Sequence, residues 1–152
     1  MQLLDRDSLQ AYLMANIAPA HALGLTIVEV EPLTIAAPLA ANLNDKGTAF
    51  AGSLYSAAAL AGWALLTRWC SAESIDAEVA LHESNARFLA PARAPFRATA
   101  RAPGPADLEK LKRMLARAGR GRIELCVEVS CEALLVMTLS GAYAVRLSGV
   151  SR

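Results

Sequence analysis

The sequence predicts an α+β fold in which a curved antiparallel sheet wraps around one long central helix. Three observations carry that reading. Residues 53–67 contain no charge, and Leu54, Ala57, Ala58, Leu60, Ala61, Leu65 and Leu66 go all the way round a helix, so this segment cannot lie with one face in water and has to be enclosed. Residues 122–131 and 135–147 alternate apolar and polar side chains over long runs, the period of half-buried strands. The shorter segments around them are β-branched or alternating and are separated by proline and glycine, with only two other helical patterns.

The elements follow in chain order. Leu4, Leu9, Tyr12, Leu13 and Ile17, with Leu3 ahead of them, recur at helical spacing; Asp7 or Ser8 begins that helix and Pro19 ends it. Residues 25–31 are a strand rich in branched residues, Pro32 breaks it, and 34–39 return as the second arm of a hairpin. The polar loop and the central helix come next, followed by a linker at 71–76. Residues 78–90 are ambiguous, because alanine, leucine and glutamate favour helix while the pattern also permits a strand. We read a strand, with Ala80, His82, Ser84, Ala86 and Phe88 on one face and Glu83, Asn85 and Arg87 on the other. Pro91 and Pro95 bracket a turn, and 96–101 alternate as a half-buried strand. After Pro103, Gly104 and Pro105, residues 107–118 place Leu108, Leu111, Met114 and Leu115 on one helix face, with Gly119 as the stop. The strands at 122–131 and 135–147 are adjacent and antiparallel.

Composition narrows the class. A chain of 152 residues is most simply one domain, 1–152, with one core. Its hydrophobic content is 55% with only 5% aromatic, which points to small-residue packing and a buried subunit interface. A net charge of +1 advertises neither nucleic acid nor a membrane surface. The charge-free run is shorter than the ~20 residues a membrane span needs and ends at Arg68. Cys70, Cys126 and Cys131 are odd in number and lack metal spacing, which fits a reducing compartment, and no metal or cofactor is called for. The charged opening MQLLDRDSLQ has no apolar signal core, so a cytoplasmic protein is expected.

Ahead of the central helix lies a polar loop with Asn42, Asn44, Asp45, Lys46 and Gly47. A buried helix needs only a cap, and so many backbone-exposing positions suggest a further purpose. Free N–H groups at a helix N-terminus, aimed at a cleft, stabilise negative charge developing on an oxygen. Each residue also has a plainer reading: Asn44 and Asp45 as turn residues, Ser53 and Ser56 as ordinary first-turn residues, His21 and His82 as packing or surface groups. Gly62 costs ~1 kcal/mol against alanine in a helix, so a strand or ligand has to approach closely there.

The run 42–56, with Asn42, Asn44, Gly47, Thr48, Ala49, Phe50, Ala51, Gly52, Ser53, Leu54, Tyr55 and Ser56, resembles the hotdog-fold thioesterases, and most closely the family named after the C-terminal domain of YiiD. Ala61, Gly62 and Trp63, Ser84 with Phe88 and Pro91, and Arg117, Gly119, Arg120, Gly121, Arg122 and Ile123 extend the resemblance over most of the chain. It implies a homodimer or tetramer acting on an acyl thioester of coenzyme A or acyl carrier protein, with no nucleic-acid or membrane partner. A backbone N–H at the start of the central helix would polarise the thioester carbonyl, a contribution of ~3 kcal/mol. The attacking water also needs a base or a nucleophilic substitute.

Carried over residue by residue, Asn44 and Gly47 match the Asn-x-x-Gly of the related PaaI-like thioesterases, and Gly52 matches the second glycine of their His-Gly-Gly. Phe50 stands where that histidine would be, Ala51 replaces the first glycine, and Ala59 falls where the helix carboxylate is expected. The familiar base is therefore missing. The catalytic candidates are Asn44, Gly52, Ser53, Ser56 and Ser84, with Tyr55 on the same first helical turn and Asp45 and Glu83 as further candidates for the base's work. Substrate contacts are assigned to Phe50, Tyr55, Trp63 and Phe88, the acyl chain lying in a tunnel that Leu54 and Leu60 also line. Arg117, Arg120 and Arg122, in a basic cluster with Arg113, Lys110 and Lys112, would hold the phosphates of coenzyme A, or simply stabilise a helix C-terminus. The missing carboxylate keeps open a non-catalytic acyl-CoA-binding or regulatory module. A hydratase or dehydratase is a weaker alternative, since those need a histidine at the site.

Overall fold

The structure is a computed structural model and describes residues 4–150. Helices α1 (Arg6–Asn16) and α2 (Ala18–Ala22) lead into strands β1 (Thr26–Val30) and β2 (Leu33–Ala37), and the long helix α3 (Ala51–Ala72) follows. Then come β3 (Ala77–Phe88), β4 (Phe96–Ala100), α4 (Pro105–Ala118), β5 (Arg120–Cys131) and β6 (Leu134–Leu147). The strands form one sheet in the order β1-β2-β4-β5-β6-β3, each pair antiparallel. This is the curved antiparallel sheet around a long helix that the sequence predicts. β3 lies at the edge beside β6, and its other side carries no strand among the described residues.

Helix α3 crosses one face of the sheet and touches β2 through β6. Leu54, Ala57, Ala58, Ala61 and Ala64 are buried against Ile35, Phe96, Ala98, Val127, Val129 and Leu139, Leu66 joins Leu125 and Tyr143 farther along, and the alanines let the backbone sit close to the strands. The closest approach is at Gly62, where a Cβ would lie 2.2 Å from Tyr143 Oη and 2.5 Å from its Cζ. Tyr143 is 1% exposed, and its hydroxyl donates to the Ala59 carbonyl at 2.7 Å. Burial, with a smaller push from Tyr55, holds that phenol well above its usual titration range. The close approach expected at Gly62 is thus made by a tyrosine of β6.

Enclosure of α3 is incomplete within one chain. Gly52, Tyr55, Ser56, Ala59, Leu60, Trp63 and Thr67 form a half-buried stripe one helical face wide. Only part of it is covered: Trp63 stacks on Tyr12 of α1 with ring centroids 5.9 Å apart and planes 11° from parallel.

Several boundaries differ from expectation for identifiable reasons. Helix α1 begins earlier, because Asp5 is its cap and accepts from Ser8 N at 2.8 Å. Leu3 lies outside the described residues. The chain breaks at Ile17, and Pro19 sits in the first turn of α2 rather than ending α1, a place where a missing N–H costs nothing. Helix α3 runs two residues into the expected linker, to Ala72, with Arg68 tied to the Leu4 carbonyl at 3.1 Å and to Glu31 at 3.0 Å, and residues 73–76 make the connection to β3. In β3 a bulge between Leu81 and Glu83 resets the alternation. Leu81 therefore joins Ser84 and Ala86 on the side toward α3, whereas Ala80 does not share their face as the regular pattern implied.

Helix α4 packs beyond the far end of α3. Leu111 and Leu115 bury against Ile123, Leu125 and Val145, Gly121 makes room for Leu111, and Lys112 pairs with Glu73 at 2.6 Å. Among the described residues no helix is long and apolar enough to cross a membrane. Cys126 is exposed while Cys70 and Cys131 are buried, and burial pushes the Cys70 thiol up to about 11. A chromogenic disulfide reagent at neutral pH is expected to titrate one fast thiol, Cys126, and the other two only on unfolding. Loss of the fast phase in Cys126→Ser checks the assignment.

Candidate active site

The loop ahead of α3 is pinned at its base by Asn42, which is 2% exposed. Its Nδ2 donates to the carbonyls of Leu23 (2.9 Å) and Pro38 (2.7 Å), leaving Oδ1 without a partner among the described residues. Its backbone carbonyl accepts from Phe50 N at 2.7 Å, and Ala49 N donates to the Ala92 carbonyl at 2.8 Å. Asn44 closes the tip. Its Oδ1 accepts from Lys46 N (2.9 Å) and Thr48 N (3.1 Å), and its Nδ2 donates to Thr48 Oγ1 (2.9 Å) and the Ala49 carbonyl (3.4 Å). Both amide protons and both acceptor lone pairs are engaged within the loop. Gly47 turns the chain at φ 71, a conformation glycine adopts without strain.

These bonds deliver α3 with a bare N-terminus. Phe50 is the cap residue and supplies no side-chain bond; Ser53 N (2.9 Å) and Leu54 N (3.2 Å) both turn back to its carbonyl. The N–H groups of Ala51 and Gly52 have no acceptor among the described residues. The Phe50 ring, 56% exposed, folds over Gly52, where a Cβ would lie 2.4 Å from its Cε1. Here the glycine serves a side-chain contact.

A groove of about 380 Å³ opens beside this helix end, lined by Asn44, Thr48, Ala49, Ala51, Leu54, Phe88, Leu89, Ala90 and Pro91. It carries no ionisable side chain. Asp45 pairs with Lys46 at 2.8 Å with its side chain 80% exposed, and Glu83 falls on the opposite face of β3 from Ser84. Ser53 is 3% exposed, while the Ser56 hydroxyl donates to the Gly52 carbonyl at 2.8 Å, as a helix serine does. Ser84 on β3 meets Tyr55 on α3, Oγ to Oη 2.6 Å. Of the expected tunnel residues, Leu54 and Phe88 line the groove; Leu60 and Trp63 lie farther along the half-buried stripe and do not.

The arginines sit elsewhere. Arg117, Arg120, Arg122 and Arg146 line a second groove of about 610 Å³ with Met114, Gly121, Ala144 and Val145. Arg146 pairs with Glu78 at the start of β3, whereas Phe88 lies at its end, so within one chain roughly 33 Å of strand separates the arginines from the helix start. Composition revealed the cluster but not that separation. The reasoning from sequence missed the Tyr55–Ser84 pair as a pair; its signal is a hydroxyl on the first helical turns matched by one on the facing strand.

The family model described as "Putative thioesterase (yiiD_Cterm)" matches residues 6–147. Among solved structures, a protein of unknown function from Chlorobaculum tepidum TLS is similar at 28% identity and TM-score 0.90, with 96% of this chain and 99% of that one covered. A protein from Shewanella oneidensis, titled a putative thioesterase, is similar at 26% identity and TM-score 0.82, with 93% and 96% covered. The PaaI protein of E. coli, from the phenylacetic acid degradation operon, shares the fold at 20% identity and TM-score 0.65 over 98% and 99% of the chains. No curated protein sequence matches.

Proposed function

Because the chain belongs to the thioesterase family named for the C-terminal domain of YiiD, we propose that it hydrolyses an acyl thioester of coenzyme A or acyl carrier protein at the N-terminus of α3. The observation that carries this reading is the pair of unpartnered N–H groups on Ala51 and Gly52, beside an apolar groove. A thioester carbonyl placed there would gain its strongest hydrogen bonds as the carbon becomes tetrahedral and negative charge moves onto oxygen. Leu54, Phe88, Leu89 and Pro91 offer the acyl group a dry wall. Asn44, saturated by its own loop, holds the helix start in place, and Ser53 and Ser56 belong to its first turns.

The working unit in this reading is a homodimer joined along the free edge of β3. Two-fold antiparallel pairing of that edge sets the start of one β3 beside the end of the other. The arginine groove of one protomer then lies beside the helix start of its partner, which supports Arg117, Arg120 and Arg122 as contacts for coenzyme A phosphates. The half-buried stripe of α3 would meet its counterpart across the same axis.

The test is release of free thiol from short, long and aryl acyl-CoAs, from acyl-pantetheine, and from acyl carrier protein. Turnover is expected, and Arg122→Glu is expected to raise KM for acyl-CoA about tenfold while leaving acyl-pantetheine, which lacks the nucleotide phosphates, unchanged. Tight binding without turnover would assign the binding-module function instead.

A further inference from the structure

A thioesterase with this groove has no evident group to activate its water. Resting on the thioesterase reading, we infer that the hydroxyls of Ser84 and Tyr55 form a neutral proton relay that does the work of the missing carboxylate. The two oxygens are 2.6 Å apart, a short O–H···O bond. Tyr55 is one turn from Gly52 on the same half-buried stripe, and helical side chains lean toward the N-terminus, so the phenol tilts to the end where the two N–H groups open. Ser84 faces α3 because the bulge at His82 turns it there, and its register partner is Gly141, which has no side chain to compete for the hydroxyl.

Glu83 and Glu124 line a pocket with Ser84, but both are register partners of Ala142, on the sheet face away from α3. Asp45 is paired with Lys46 and exposed, Glu83 points to the outer face, and His21 and His82 are exposed. At Ala59, where the helix carboxylate would stand, even the backbone carbonyl is occupied by Tyr143.

The step balances without any residue changing charge. A water bound to Ser84 Oγ adds to the thioester carbon, and the carbonyl oxygen takes the developing charge at the Gly52 N–H. The water's proton passes to Ser84 Oγ, the proton of Ser84 to Tyr55 Oη, and the proton of Tyr55 to the departing sulfur. A C–O bond forms, the C–S bond breaks, and carboxylic acid and thiol leave both hydroxyls as they began.

The experiment compares the wild type with Ser84→Ala, Ser84→Thr, Tyr55→Phe and the Ser84→Ala/Tyr55→Phe pair, on whichever acyl thioester the wild type turns over. Expected are a fall in kcat of about 100-fold or more for Ser84→Ala and for Tyr55→Phe, KM and Tm nearly unchanged, no further loss in the pair, and partial rescue by Ser84→Thr. The wild-type kcat/KM is expected to stay flat from about pH 5 to pH 8, because no carboxylate or imidazole ionises in the step. A rise with pH through an apparent pKa of roughly 4 to 7 would overturn the relay in favour of a carboxylate or histidine. Full kcat in either single variant would overturn it too, while wild-type turnover left the thioesterase reading standing. A wild type that hydrolyses no thioester would overturn both.

Discussion

Gly52→Pro is expected to keep its fold and lose thioester hydrolysis by about 10²–10³-fold in kcat, while Gly52→Ala retains most of the activity. The two substitutions place similar bulk at Cα and push the exposed Phe50 ring aside equally, since any Cβ there meets Phe50 Cε1 at 2.4 Å. They differ in one atom that matters. Proline removes the N–H at the second position of α3, a place where the helix itself has no use for it, and Pro19 occupies the same position of α2. Stability is therefore spared while the carbonyl loses a donor. Steady-state kinetics beside thermal melts check the pair; equal activities would remove the Gly52 N–H from the mechanism.

The largest effect on stability is expected from Gly62→Ala. In an ordinary helix interior that change stabilises by ~1 kcal/mol. Here the new methyl would fall 2.2 Å from Tyr143 Oη, 2.5 Å from Cζ and 2.8 Å from Cε2, and the ring is buried with no room to retreat. Overpacking of this kind costs ~1–3 kcal/mol, and displacing the phenol also strands its hydroxyl away from the Ala59 carbonyl, ~1–3 kcal/mol more. A net loss of about 2–4 kcal/mol is expected by urea denaturation, and Tyr143→Leu in the same chain should recover part of it, because the two sites share one contact. A gain in stability on Gly62→Ala would mean the ring is free to move.

The fold was legible where composition left no alternative. A charge-free run could only be an enclosed helix, and β5 and β6 alternate so regularly that their pairing followed. Legibility failed where backbone geometry decided. Alternation cannot reveal the bulge at His82, so Ala80 was placed on the wrong face although Ser84 was placed on the right one. The helix ends two residues beyond the expected boundary, at Ala72, and Arg68 near that end bonds to the Leu4 carbonyl and to Glu31, tertiary contacts that no local pattern records. In the candidate site the loop and the helix start were readable from residue types, because glycine and asparagine declare exposed backbone. The hydroxyl pair was not, since Tyr55 and Ser84 are 29 residues apart and neither is unusual alone. The phosphate-binding assignment depends on which end of β3 the arginines occupy, and spacing along the chain does not encode that.

The bulge also bears on how this chain tolerates a change of length. With His82 set aside, Leu81 pairs with Tyr143, Glu83 with Ala142 and Ser84 with Gly141 in unbroken sequence. A homologue lacking one residue here would keep a regular strand with every later side chain facing as it does now. A gap opened anywhere else in β3 would exchange its two faces from that point on. Position 82 is therefore where aligned relatives can differ by one residue without moving the serine.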